Sequence, residues 1–241
     1  MIVDHTNRRV LEVLESREKA AVVKFLQDSK DSGLLAQVTE VTSDMWDGYV
    51  AAAREVFGQS VTLTIDRFHV MKNLQEQLTA ARREIQRDLP QEEARELKGS
   101  RWLWLTNPEN LDDDQRQRLL ELKSKFPRLA QLADQREALR QLFEDRSLTT
   151  AAAAGFARLT QWLAAARALS LTALNKFCDT LERWQDKIAN YFVSRSRNGP
   201  TEGFNNGLLT ILRRSFGILN FRHFRLRVLD TFGKPRPQES T

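Results

Sequence analysis

Hydrophobic and polar positions in the first 70 residues switch between two periods. Arg9–Glu15 (RVLEVLE) is a short apolar run suited to a strand. Ser16 is placed to cap a helix whose apolar face is Ala20, Val23 and Leu26, ending near Gly33. Val38–Ser43 (VTEVTS) is β-branched and predicts a second strand, with Asp44 directly after it. A helix carrying Trp46, Tyr49, Ala53 and Val56 follows, closed by Gly58. Val61, Leu63 and Ile65 alternate with polar residues, a strand pattern, and Asp66 follows that strand directly.

From Phe68 to Phe192 the period is helical. Met71, Leu74, Leu78, Ala81 and Ile85 recur at spacings of three and four and predict one buried stripe. Pro90 ends or bends this helix. RWLWLTNPEN (101–110) interrupts the pattern, and Asn110 is placed to cap a helix with an acidic first turn, Asp112 to Asp114. Further helices are expected over about Arg128–Glu144, Thr149–Ala168 and Leu171–Phe192. After the polar break SRSRNGP, Thr201 is placed to cap a helix opening with Glu202, and a last amphipathic helix lies near Phe221–Phe232. The expected organisation is α/β but mainly helical: an α/β part over residues 1–70, a helical block over 71–193, a return over 194–233 and a disordered tail over 234–241.

Composition narrows the function classes. No run approaches the roughly 20 apolar residues of a membrane span. The opening residues lack a cationic stretch followed by an apolar one, and the single cysteine, Cys178, allows neither an intrachain disulfide nor a cysteine-based zinc site. A reducing, cytoplasmic setting is the expectation. The net charge of +5 conceals an asymmetry. Between Arg195 and Arg236 stand nine Lys or Arg and two acids, a surplus of seven, which leaves the rest of the chain at −2. Such a segment suits a polyanion such as nucleic acid, or equally a solvated helix face.

Three acids are candidates for chemistry. Asp44 and Asp66 sit just past strand ends, where a sheet fixes a carboxylate well enough to hold a hard cation. Glu202 opens a helix, where the dipole favours a carboxylate. A few such carboxylates holding two divalent ions support phosphodiester chemistry. An Asp after a strand also serves as a turn residue or helix cap.

The surrounding sequence is more specific. VTSDMWDGYVAAAREVFG, TLTIDRFHVMKNL and RNGPTEGFNNGLLTILRRSFG closely resemble three blocks of the ISL-three branch of bacterial DDE-type insertion-sequence transposases. SRWLWLTNPENLDDDQRQRL and NFRHFRLRVL also look like family segments, so the resemblance covers nearly the whole chain. It implies an RNase H-like catalytic core interrupted by an all-α insertion, Mg²⁺-dependent DNA cleavage and strand transfer, and a two-metal site. By position, Asp44 matches the second catalytic carboxylate and Glu202 the final glutamate, both as metal ligands. Asp66 and His69, in DRFH, look like a supporting motif, with Asp66 the alternative second acid. DNA is the implied partner, with a second copy or an intact transposase as further partners.

The departures from the family are equally specific. Its members carry a first catalytic aspartate on the first strand, preceded by a zinc-binding stretch and a helix-turn-helix. VDHTNRRVLEVLE instead resembles the end of the second strand and the hairpin into the third, which places Asp4 in a turn. By this resemblance the chain is an N-terminally truncated transposase with little or no strand transfer of its own, or a DNA-binding or transposase-inhibiting remnant.

Other residues carry two readings each. Arg213 and Arg214 after the Glu202 helix, Arg222 in the last helix, and Arg195 and Arg197 at the polar break are candidate phosphate contacts or solvated cations. Trp102 and Trp104 either stack on a base or pack the helical block, and packing is preferred. Trp162, Trp184 and Cys178 are expected in the core.

Overall fold

The computed structural model describes residues 1–196, 199–215 and 220–234. It is mainly helical, with two small sheets. Its contacts divide the chain into two compact units, Met1–Leu63 with Ser196–Thr241, and Thr64–Arg195. Among the described residues no helix is long and apolar enough to cross a membrane.

The first unit opens with a hairpin. Strand β1 (Ile2–Asp4) pairs antiparallel with β2 (Arg9–Glu12), and Asp4 faces Arg9 across the register. The Asp4 carboxylate closes the turn by accepting from the Asn7 backbone N–H at 3.0 Å, the Asn7 side chain at 2.7 Å and Arg9 Nε at 3.2 Å. Partial burial pushes its pKa up, but the bonds from Asn7 and Arg9 prevail and hold it below the usual value.

Helix α1 (Lys19–Asp31) packs on α2 (Asp47–Phe57), and β3 (Glu40–Ser43) is hydrogen-bonded to β4 (Thr62–Ile65). Val22, Leu26, Ala52, Ala53, Val56 and Leu63 bury one cluster, with Leu11 and Leu14 against it. Val10, Val13, Phe204 and Val228 bury a second, with Phe224 and Phe232 against it. Strand β2 lies between the two because consecutive side chains leave a strand on opposite faces. Val10 enters the second cluster and Leu11 the first. The second cluster is closed by α10 (Gly199–Arg214) and α11 (Phe221–Phe232), whose Phe204 and Phe232 rings meet at 5.4 Å.

The second unit is helical beyond its first residues. Helix α3 (Arg67–Arg87) is followed by the short helices α4 (Gln91–Glu96) and α5 (Arg101–Leu105). Then come α6 (Asp113–Lys125), α7 (Pro127–Glu144), α8 (Ala152–Arg167) and α9 (Thr172–Ser194). Helix α3 packs on α7 and α9, and α8 lies along α9. Gly155 lets α8 approach α9 closely, since a Cβ there would stand 2.1 Å from the Phe192 ring. Phe192 stacks on Phe143 of α7 with ring centres 5.6 Å apart.

Several local expectations are corrected. Ser16 does not cap α1; its hydroxyl accepts from the Glu18 N–H and forms a turn before the helix starts at Lys19. Asp112, not Asn110, caps α6, because its carboxylate and the Gln115 side chain satisfy each other's backbone donors in a capping box. Thr201 lies inside α10, which starts at Gly199; Pro200 costs a first turn no hydrogen bond. Val70 replaces Met71 in the buried stripe of α3. The tryptophan pair at 102 and 104 divides, with Trp104 buried and Trp102 65 % exposed. Trp162, Trp184 and Cys178 are in the core, as expected. The tail from 235 and Arg197 lie outside the described residues.

Candidate functional site

Asp44 follows β3, whose Val41 and Thr42 favour the extended backbone that carries the chain to it. Its main-chain carbonyl accepts from the Trp46 N–H at 2.9 Å and from the Ser43 hydroxyl at 3.0 Å, which fixes the turn into α2. The DMWDGY stretch is explained by Trp46. Its indole meets Tyr49 edge-on at 4.4 Å and lies against Gly48, where a Cβ would stand 2.2 Å from the ring. The Arg17 guanidinium lies 5.7 Å from the indole centre. Burial, then the negative charge of Asp44, raises the Tyr49 phenol pKa, and Arg17 opposes both.

Asp44 Oδ1 is buried and has no hydrogen-bond partner among the described residues. A carboxylate oxygen withdrawn from water with no donor or cation is costly, so such an oxygen awaits a ligand or stores strain.

Glu202 stands in the first turn of α10, exposed to solvent. Two long-range bonds lie nearby in the chain, one on α10 and one on Ser196 before it. Thr201 Oγ1 lies 3.0 Å from His5 Nε2 in the hairpin turn, and the Ser196 hydroxyl donates to Glu40 Oε2 at the start of β3. Nothing in the spacing of His5, Glu40 or Ser196 marks them in sequence. They join residues more than 150 positions apart, and only the fold brings them together.

Asp66 and His69 belong to the second unit. Asp66 is buried and caps α3, its carboxylate accepting from the Phe68 N–H at 3.2 Å. His69, half-buried, meets the Phe68 ring edge-on at 5.5 Å.

The orphaned Asp44 oxygen suits a hard cation. Among the described residues, however, no three His, Cys, Asp or Glu side chains gather as a metal-holding group. Asp44 and Glu202 therefore do not complete a Mg²⁺ site with their described neighbours.

The basic segment resolves into two kinds of cation. Arg225 pairs through Nε and Nη2 with the buried Glu12 carboxylate on β2, and Arg227 donates to the Ser215 hydroxyl at 2.6 Å. Arg195, in a left-handed conformation (φ 53°) after α9, donates to the main-chain carbonyls of Phe143 and Asp145 and lies over Tyr191 and Phe192. These arginines serve the packing of their own units. Arg213, Arg214 and Arg222 are exposed, and among the described residues none of the three has an acidic partner.

Comparison with known proteins identifies a family for the chain. The ISL3 (ISL-three) DDE family, described as transposase, matches residues 1–228. The transposase for insertion sequence element IS1001 of Bordetella parapertussis is 26% identical over 235 residues, covering 96% of this chain and 56% of that relative. The chain thus spans little more than half the length of the curated relative it matches. No solved structure matches. With the family's sequence pattern running through nearly all of its residues, the chain belongs to the ISL3 family of DDE transposases.

Proposed function

We propose that this chain is the DNA-engaging catalytic portion of an insertion-sequence transposase, with Asp44 and Glu202 as two of its site carboxylates. The first unit is read as an RNase H-like core and the helical unit as its insertion. Three features support that reading: a hairpin leading into the sheet residues, helices on both sides of β2, and an acid directly after β3. The observation that carries the site assignment is the buried, unpartnered Asp44 Oδ1. Packing has left an anionic oxygen unsatisfied where a strand ends, which is tolerated at a functional site. Exposed Glu202 is read as the second carboxylate, on a first turn of α10 that the Thr201–His5 contact ties to the hairpin. Asp66, already spent on capping α3, is read as supporting.

Strand cleavage and joining are read as requiring an acid beyond the described residues, because no three-acid group forms among them. That favours a second role, in which the chain binds DNA or associates with an intact transposase without catalysing strand transfer itself.

Calorimetric titration of the purified chain with Mg²⁺ and Mn²⁺ separates the two. Saturable binding that disappears in both Asp44→Ala and Glu202→Ala supports a shared site. Binding indifferent to both substitutions removes Asp44 and Glu202 as metal ligands and leaves the DNA-binding role.

A further inference from the structure

The helical unit contains a pocket unrelated to the three acids. It is lined by Leu78, Thr79 and Arg82 of α3, Arg101 and Trp104 of α5, and Leu129 of α7, among others. Its donors are unevenly committed. The Trp104 indole N–H donates to the Ser100 hydroxyl at 3.0 Å, and the Thr79 hydroxyl donates to the Gln75 carbonyl at 2.9 Å. The open donors are therefore on the guanidinia. Among the described residues Arg82 Nε is buried with no partner, while Arg82 Nη1 donates to the Gln86 amide oxygen at 3.1 Å.

Charge around the pocket is uncompensated. Among the described residues, Arg82, Arg83 and Arg101 have no ion pair. Burial, then the like charges of Arg83 and Arg101, disfavour the Arg82 cation and hold its pKa below the ordinary arginine value. Arg101 is fixed from outside by stacking its guanidinium over Trp102 at 4.6 Å. That explains a use for the most exposed tryptophan other than packing: it is a platform that holds a cation at the pocket mouth. Leu78, Leu105, Leu129 and Leu132 line the rest of the pocket, and an apolar wall strengthens attraction between a guanidinium and an anion.

We propose that Arg82 and Arg101 form a phosphate-binding pocket in the helical unit, and that it takes a backbone phosphate of a nucleic acid strand. A phosphate oxygen supplies the acceptor that Arg82 Nε lacks, and its charge offsets the mutual repulsion of the three arginines. Assigning the phosphate to DNA rests on the transposase reading; the pocket itself rests on the guanidinium geometry.

The test measures DNA affinity of the full chain against salt, beside Arg82→Gln with Arg101→Gln, and beside Arg213→Gln with Arg214→Gln. Far-ultraviolet dichroism and thermal melting check that each variant folds. The expected result is a several-fold weaker affinity for the Arg82/Arg101 variant, with the salt slope reduced by up to about two contacts at ~0.9 each. Wild-type affinity and slope in that variant, with a loss in the Arg213/Arg214 variant, overturn the pocket and leave the DNA reading standing. Should the wild-type chain bind no DNA, inorganic phosphate is titrated while the Trp102 emission is followed, with Trp102→Phe identifying that signal. A response abolished by Arg82→Gln then keeps the pocket and reassigns its source to free phosphate, and no response overturns the pocket as well.

Discussion

Arg225 grips the Glu12 carboxylate with two of its nitrogens, tying α11 to β2 within the first unit. Glu12 is 8 % exposed, and its Oε1 also accepts from the Val13 N–H at 2.8 Å. Removing a donor from a buried carboxylate leaves part of its desolvation cost uncompensated. Arg225→Met is expected to lower unfolding stability by roughly 1–3 kcal/mol, less than breaking a fully buried pair because Arg225 retains part of its surface in water. Urea unfolding checks the size. Restoring much of the loss with Glu12→Gln in the Arg225→Met background would show that the cost is the stranded charge, and no restoration would assign it to lost packing of the arginine stem.

That pair also shows where sequence stops being informative. Period and propensity in the chain reveal β2, α3 and α9, because each buries a stripe that its own residues define: Val10 in β2, Leu74, Leu78, Ala81 and Ile85 in α3. Asp44 is legible because it follows a β-branched strand. Glu12 is not, since a charged residue in a strand reads as solvent-facing until an arginine 213 positions away covers it. The same limit applies to Arg195. Counted with the basic segment, it suggests a phosphate contact, yet its guanidinium satisfies two carbonyls that no local pattern announces.

Gly155→Ala is expected to destabilise the helical unit even though alanine is the better helix former. Propensity favours the substitution by about 1 kcal/mol. Against it, the new methyl meets the Phe192 ring, which is itself stacked on Phe143 and cannot yield freely. Overpacking of this kind costs about 1–3 kcal/mol, so the net sign is unfavourable. Thermal melting of the variant checks it, and a raised melting temperature would show that α8 and α9 are free to separate.

Cys178 is fully buried on α9, and burial pushes its thiol pKa up to about 11. The folded state thus favours the neutral thiol. The stabilisation is complete below the unfolded value of about 8.5 and is lost as pH rises from there through about 11. Labelling with a thiol reagent at pH 7.5 is expected to be slow in the native chain and to accelerate in urea as the helical unit unfolds. Rapid native labelling would mean that α9 opens locally.

Asp44→Asn is expected to raise stability while removing the proposed site. The substitution removes a negative charge whose Oδ1 has no partner, a relief of about 0.5–2 kcal/mol. It also removes one of the influences that raise Tyr49, so the phenol titrates at a lower pH in the variant while burial still keeps it above normal. Spectrophotometric titration of tyrosine in both chains reads this shift. An unchanged Tyr49 together with a lower melting temperature would mean that the Asp44 carboxylate is satisfied and positioned for structure.

The basic C-terminal segment offers a polyanion fewer open cations than its composition suggests. Of its described arginines, Arg225 is held by Glu12, Arg195 by main-chain carbonyls and Arg227 by the Ser215 hydroxyl, which leaves Arg213, Arg214 and Arg222 exposed with no acidic partner among the described residues. Each cation that neutralises a phosphate contributes about 0.9 to the slope of log affinity against log salt on duplex DNA. Converting Arg213, Arg214 and Arg222 to Gln together is therefore expected to flatten that slope by as much as about 3 and to weaken binding at every sequence alike, since phosphate contacts carry no base information. Arg195→Gln supplies the contrast: it is expected to lower the melting temperature by exposing the Phe143 and Asp145 carbonyls, while the salt slope of the chain that remains folded stays at the wild-type value. A flattened slope in Arg195→Gln would return that residue to the DNA surface, and an unchanged slope in the triple variant would place the phosphate contacts elsewhere in the chain.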